Sequence, residues 1–114
     1  TSGPSFSFAF GECTWWAARN FPVAWRGDAW QWLGNAAAAG YRISDQPSVG
    51  ALVVYNRSPT YSGYGHVGNV IAVAHGQYTV SEMNYADGGK VTGTVDQRIS
   101  AYPDPDVAGF VLRP

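Results

Sequence analysis

The chain carries a single cysteine, Cys13, within Gly11-Glu12-Cys13-Thr14-Trp15. Ala17, Ala18 and Arg19 are good helix formers and Phe21-Pro22 ends the run, so the thiol falls at the start of a predicted helix over 13–20. Unpaired backbone N–H groups at a helix start carry partial positive charge and favour the nucleophilic thiolate over the thiol. The competing reading is a buried structural cysteine. A second candidate is His66 in Gly63-Tyr64-Gly65-His66-Val67, at the mouth of a strand, where small neighbours allow a substrate backbone to approach. A third is Ser81-Glu82-Met83-Asn84-Tyr85, whose alternation sends Glu82 and Asn84 to one face. A structural histidine and a half-exposed strand are the plainer readings of these two.

Strand parity links the candidates. The segments 67–74 and 77–84 are rich in Val, Ile, Tyr and Thr, flank His75-Gly76 and read as a hairpin. A three-residue loop, Ala74-His75-Gly76, pairs His66 with Asn84 and Gly68 with Glu82, so that all four face one way. Gly68 then leaves space for the carboxylate to reach the imidazole. A two-residue loop puts His66 opposite Tyr85 instead. A catalytic role therefore requires an odd-length loop or a compensating bulge.

The elements that must hold these residues follow from local signals. Asp28 is a capping residue and Gly40 a stop, which predicts a second helix over 28–39 with Trp32, Ala36 and Ala39 on its buried stripe. Strands are predicted at 49–55, 97–100 and 109–112 in addition to the hairpin. Helices first and strands after is the α+β order, not alternating βαβ units. Residues 1–5 read as a linker or cloning remnant and 6–114 as one domain.

Composition narrows the function. The 114 residues are 46% hydrophobic and 15% aromatic, enough for a core without a disulfide or structural metal. Only 13% are charged and the net charge is −1, which argues against nucleic acid as a partner, because phosphate contacts need clustered Lys and Arg. A neutral peptide or glycan fits better. No apolar run approaches transmembrane length, and the N-terminus lacks a signal-peptide pattern, as expected of a mature secreted domain or a piece of a longer protein. One Cys and two His show no ligand spacing, so neither a metal nor any other cofactor is expected.

A nucleophilic cysteine on a helix N-terminus, a histidine on a strand and a polar orienting group make a papain-type arrangement. Gly11-Glu12-Cys13-Thr14-Trp15, Gly65-His66-Val67 and Ser81-Glu82-Met83-Asn84-Tyr85 resemble the motifs of CHAP domains, the cysteine- and histidine-dependent amidohydrolase/peptidase family. Gly27-Asp28-Ala29 with Trp32, and Pro47-Ser48-Val49-Gly50-Ala51, resemble its connecting motifs. The resemblance spans about Phe8 to Leu112, with motif order and spacing in agreement. It implies a papain-like α+β fold, N-terminal helices packed on an antiparallel sheet. It also implies cleavage of amide or peptide bonds in bacterial peptidoglycan by a secreted or wall-associated monomer. Cys13 then takes the nucleophile role, His66 the base, Glu82 the orienting role, and Asn84 a fourth place. CHAP sequences commonly carry Gln before the cysteine. Glu12 stands here, and an ionised carboxylate has no hydrogen to give an oxyanion. Some relatives carry an acidic calcium loop near the N-terminus, but no such spacing of acids occurs here, so no calcium site is expected.

Around these residues, Trp25, Tyr61, Tyr64 and Tyr85 are candidates to line a groove, with Glu12 beside the nucleophile, because loops beside a site commonly carry recognition. Trp15, Trp16, Trp30 and Trp32 are expected mostly in the core, Asp28 as a helix cap, and His75 at a solvated tip. Two other functions stay open: a wall-binding module of the same fold with little or no turnover, favoured by Glu12, and a cysteine hydrolase of some other amide.

Overall fold

The computed structural model describes residues 12–61, 63–83 and 95–114. Helix α1 (Cys13–Asn20) follows the extended backbone of Glu12 and ends where Phe21 returns to extended geometry ahead of Pro22. The predicted second helix divides in two, a 3-10 turn (Ala29–Gln31) that leads into α2 (Trp32–Ala38). At its start the Asp28 backbone N–H donates to Gln31 Oε1 at 2.9 Å, the side-chain half of a capping box.

Six strands follow: β1 (Ile43–Ser44), β2 (Leu52–Tyr55), β3 (His66–Ala74), β4 (Gln77–Met83), β5 (Val95–Ala101) and β6 (Val107–Val111). They form one sheet in the order β1-β6-β2-β3-β4-β5, with every neighbouring pair antiparallel. Two short helices packed on a six-stranded antiparallel sheet make the chain α+β. The two-residue β1 has no counterpart among the predicted strands; it pairs with the far end of β6.

Strand β2 sits inside the sheet and is buried along its whole length, and its sequence Leu-Val-Val-Tyr accordingly shows no polar alternation. Leu52 and Val54 join Ala17, Ala18, Trp32 and Ala36 in the helix-side core. Val53 and Tyr55 join Val70, Tyr78, Val80 and Phe110 in a second cluster. Helix α1 lies against β3 and β4, and its buried residues, Ala17 and Ala18, are small enough to let it sit close to the strands.

The hairpin meets the parity condition by the second of its two routes. Ala74 pairs with Gln77 across a two-residue loop, His75-Gly76, which alone would give the unproductive register. A bulge then inserts Ile71 into β3: Ala72 faces Thr79, whereas Val70 faces Val80 and Asn69 faces Ser81. Carried on by the same step, that register sets Gly68 across from Glu82. The two residues are in close contact there. A Cβ on Gly68 would lie 2.3 Å from Val80 Cγ2 and 3.3 Å from Glu82 Cβ.

Gly68→Ala should therefore destabilise the domain by about 1–3 kcal/mol through overpacking, read as a lowered urea midpoint. Adding Val80→Ala, which removes the closest atom, should recover part of the loss. A single variant as stable as the parent would contradict the packing described.

Candidate active site

His66 opens β3 and is reached through Gly65, whose φ of 71° suits glycine. A Cβ at Gly65 would come within 2.7 Å of both the Tyr55 carbonyl and Trp30 Cβ, so the approach to the histidine admits no side chain. The imidazole is 4% exposed. Tyr61 stacks on it at 5.5 Å between centroids and 13° between planes, and Tyr55 lies behind, stacked on Tyr61 at 4.3 Å. These rings leave the imidazole little freedom to turn.

Nε2–H of His66 donates to Glu82 Oε1 at 2.7 Å. Cys13, at the first turn of α1, is near enough to the same imidazole to act on its charge. The charge state follows from opposing effects. Burial pushes the imidazolium toward neutrality, but negative charge on Cys13 and then the bond to Glu82 outweigh it and raise the His66 pKa from 6.5 to about 9.

Glu82 is fully buried on β4. Burial alone would raise its pKa; hydrogen bonds from Arg98 and His66 reverse that and hold the carboxyl below its ordinary range. Arg98 on β5 binds it twice, Nε to Oε2 at 2.7 Å and Nη2 to Oε1 at 2.9 Å. No local signal in the sequence marks Arg98. It lies in an alternating strand where a charged residue reads as solvent-facing, and only the pairing of β4 with β5 turns it toward Glu82.

Of the predicted site residues, Cys13, His66 and Glu82 come together. Asn84 and Tyr85 lie outside the described residues. Glu12 is exposed beside Cys13 and makes no side-chain cap to α1. Trp25 is a correction: it belongs to the core, 7% exposed, with its ring edge-on to Trp32 at 5.5 Å and to Tyr41 at 4.9 Å. The extended chain after Pro22 runs under α2, where a large ring fills the layer. Tyr61 is buried against His66, and Tyr64 is 69% exposed. Among the four tryptophans expected in the core only Trp32 is fully buried; Trp15, Trp16 and Trp30 are half-buried. Trp15 and Trp16 follow Cys13 on α1, and the Trp30 N–H donates to the Tyr64 carbonyl two residues before His66. Among the described residues, no group of three or more His, Cys, Asp or Glu side chains could hold a metal ion.

A thiol, an imidazole and a buried carboxylate in series, carried by a helix and two strands, define the class. The family model for the CHAP domain matches residues 3–84, and the chain belongs to this family. It is 38% identical over 88 residues to a Staphylococcus aureus protein named "Probable autolysin SsaALP", covering 71% of this chain and 32% of that protein. It is 35% identical over 89 residues to the staphylococcal secretory antigen SsaA of the same species, covering 74% of this chain and 33% of that one. A crystal structure of N-acetylmuramoyl-L-alanine amidase from Staphylococcus aureus aligns with a TM-score of 0.72 at 25% identity, covering 91% of this chain and 31% of that chain. The chain thus spans about a third of the length of these relatives.

A histidine whose pKa is raised on folding adds stability that is complete below its unfolded value and is lost as pH rises through its folded value. For His66 the decline falls between pH 6.5 and about 9. Glu82→Gln removes one source of the shift, so His66 should then titrate at lower pH, seen in imidazole proton NMR with the exposed His75 as a second signal. An unmoved His66 titration would strike Glu82 from the causes.

Proposed function

We propose that this domain is a peptidoglycan hydrolase that cleaves an amide or peptide bond through a thioester on Cys13. The observation that carries the reading is the Cys13–His66–Glu82 series, with His66 held cationic between a thiol and a buried carboxylate. Membership of the CHAP family, and relatives named as an autolysin and an N-acetylmuramoyl-L-alanine amidase, support the wall as the substrate. The arrangement is papain-like in its roles, with the nucleophile on a helix and its base on the sheet.

Cys13 Sγ, as thiolate, attacks the carbonyl carbon of the scissile amide and the carbonyl oxygen becomes an oxyanion. The backbone N–H of Cys13, at the first turn of α1 and without an intrahelical acceptor, is placed to donate to that oxygen. When the intermediate collapses the C–N bond breaks, and His66 passes its proton to the departing amine. The acyl group remains on Cys13 as a thioester. Water then attacks the thioester carbon, giving a proton to His66; the acid leaves and the thiolate–imidazolium pair is restored. Glu82 keeps Nε2 protonated throughout, so that Nδ1 faces the thiol and the substrate. Amidase and endopeptidase action would use the same groups. The domain acts as a monomer, and outside the cell, the latter in keeping with a relative named a secretory antigen.

The second reading, a wall-binding module with little turnover, is favoured by Glu12, which replaces a potential oxyanion donor with a carboxylate. Lysis of purified cell walls separates the two. The parent should release soluble fragments, Cys13→Ala and Cys13→Ser should release none while still folding, and Glu82→Gln should retain a small fraction of the rate. Undiminished lysis by either Cys13 variant would refute the hydrolase mechanism, whereas wall binding by the parent without fragment release would favour the module.

A further inference from the structure

We infer that Arg98 is a positioning residue of this site, acting through Glu82 to fix the orientation and charge of the His66 imidazole beside Cys13. The inference rests on the Cys13–His66–Glu82 reading above and extends it to a fourth strand. Arg98 occupies both oxygens of Glu82: Oε2 takes the Nε bond, at 2.7 Å, while Oε1 is shared between Nη2, at 2.9 Å, and His66 Nε2, at 2.7 Å. Two parallel bonds from a planar guanidinium fix the plane of a carboxylate as well as its charge. Since Oε1 is the atom that His66 meets, the clamp sets where the imidazole points.

The guanidinium is itself held. Its side chain is 21% exposed, its Nη2 lies 3.4 Å from the Tyr55 hydroxyl, and its carbon lies 5.5 Å and 5.8 Å from the ring centroids of Tyr55 and Tyr61. Tyr61 is the ring stacked on His66. Arg98 therefore reaches His66 by two routes, through the carboxylate and through the aromatic stack.

Among the described residues, Glu82 is bonded by His66 from β3 and Arg98 from β5. Tyr55 from β2 and Tyr61 from the loop before β3 lie against those two partners. Asp96, also on β5, pairs directly across from Glu82, and Cys13 on α1 lies beyond the imidazole. Tyr78, on the same strand as Glu82, bonds the Tyr55 hydroxyl at 2.6 Å. Burial pushes both of those phenols up, so neither ionises near neutrality. Arg98 is thus the one permanent cation in contact with the buried carboxylate among the described residues, and the cross-strand partner of Glu82 is another acid. Without Arg98, burial and Asp96 both favour a protonated Glu82. A protonated Glu82 stops stabilising imidazolium, and His66 and Cys13 neutralise each other by returning the proton to sulfur.

The test is the rate at which iodoacetamide alkylates Cys13 between pH 4.5 and 9, which needs no wall substrate. The acid limb of the profile should move up by about one pH unit in Arg98→Met, roughly a tenfold loss of rate on that limb, with little change at pH 8. Arg98→Lys, which keeps the charge but not the paired bonds, should fall between. In a Glu82→Gln background Arg98→Met should change nothing further. A profile in Arg98→Met that superimposes on the parent's would overturn the inference. So would a pH-independent loss that persists in Glu82→Gln, since that is the mark of a merely structural residue. Near-UV circular dichroism establishes which variants fold, and if Arg98→Met does not, Arg98→Lys and Arg98→Gln carry the same comparison. If the parent fails to lyse walls but the profiles behave as stated, the substrate reading falls and the role of Arg98 stands.

Discussion

Glu82 is a carboxylate with no exposure to water, placed on a strand between two others. A charge so buried is tolerated only where neighbours replace its hydration. The sheet order supplies them from both sides, with β3 bringing His66 and β5 bringing Arg98. Gly68 clears the space on one side, and Tyr55 and Tyr61 close the cavity around the imidazole and guanidinium. Take the carboxylate away and these neighbours lose their common reason for being where they are. Two side chains, a glycine and a pair of rings are arranged about one ion.

The thiol is mounted differently. Cys13 belongs to α1, which meets the sheet through the small side chains of Ala17 and Ala18 and through two side-chain hydrogen bonds. Asn69 Nδ2 donates to the Ala17 carbonyl at 3.4 Å, and Trp16 Nε1 donates to Ser81 Oγ at 3.1 Å. Ser81 adjoins Glu82 and Asn69 lies three residues after His66, so the helix is registered by the same two strands that carry its partners. Thiol and imidazole are thereby aligned by a few side-chain bonds across a small apolar interface. Their separation is consequently sensitive to the setting of the helix as well as to the sheet.

Much of this was readable in the chain. The α1 boundaries, the capping role of Asp28 and the β3–β4 hairpin all follow from local signals that tertiary packing did not override. Cys13, His66 and Glu82 could be singled out because Cys13 is unique, His66 follows a glycine, and Glu82 shares a parity class with His66. What escaped has a common cause. Trp25 looks like a loop aromatic because nothing in Val23-Ala24-Trp25-Arg26 reveals that the segment lies beneath α2. Arg98 looks solvated because the partner that draws it inward stands on another strand. Ile71 looks like one more β-branched strand residue, and only the pairing reveals that it is supernumerary. Contacts between segments distant in sequence leave no local trace.

That supernumerary residue separates the outer hairpin from the inner one. Beyond Ile71 the strands pair in one phase, set by the two-residue tip; before it they pair in the other, set by the needs of the site. Length changes in this hairpin are therefore subject to an even-number rule. One residue added at the tip, or one lost at the bulge, would turn Glu82 to the opposite face of the sheet. Both together would leave the site untouched while giving the outer hairpin a new shape. Ile71 acts as a phase adjuster, through which the outer hairpin can vary without the chemistry-bearing end registering the change.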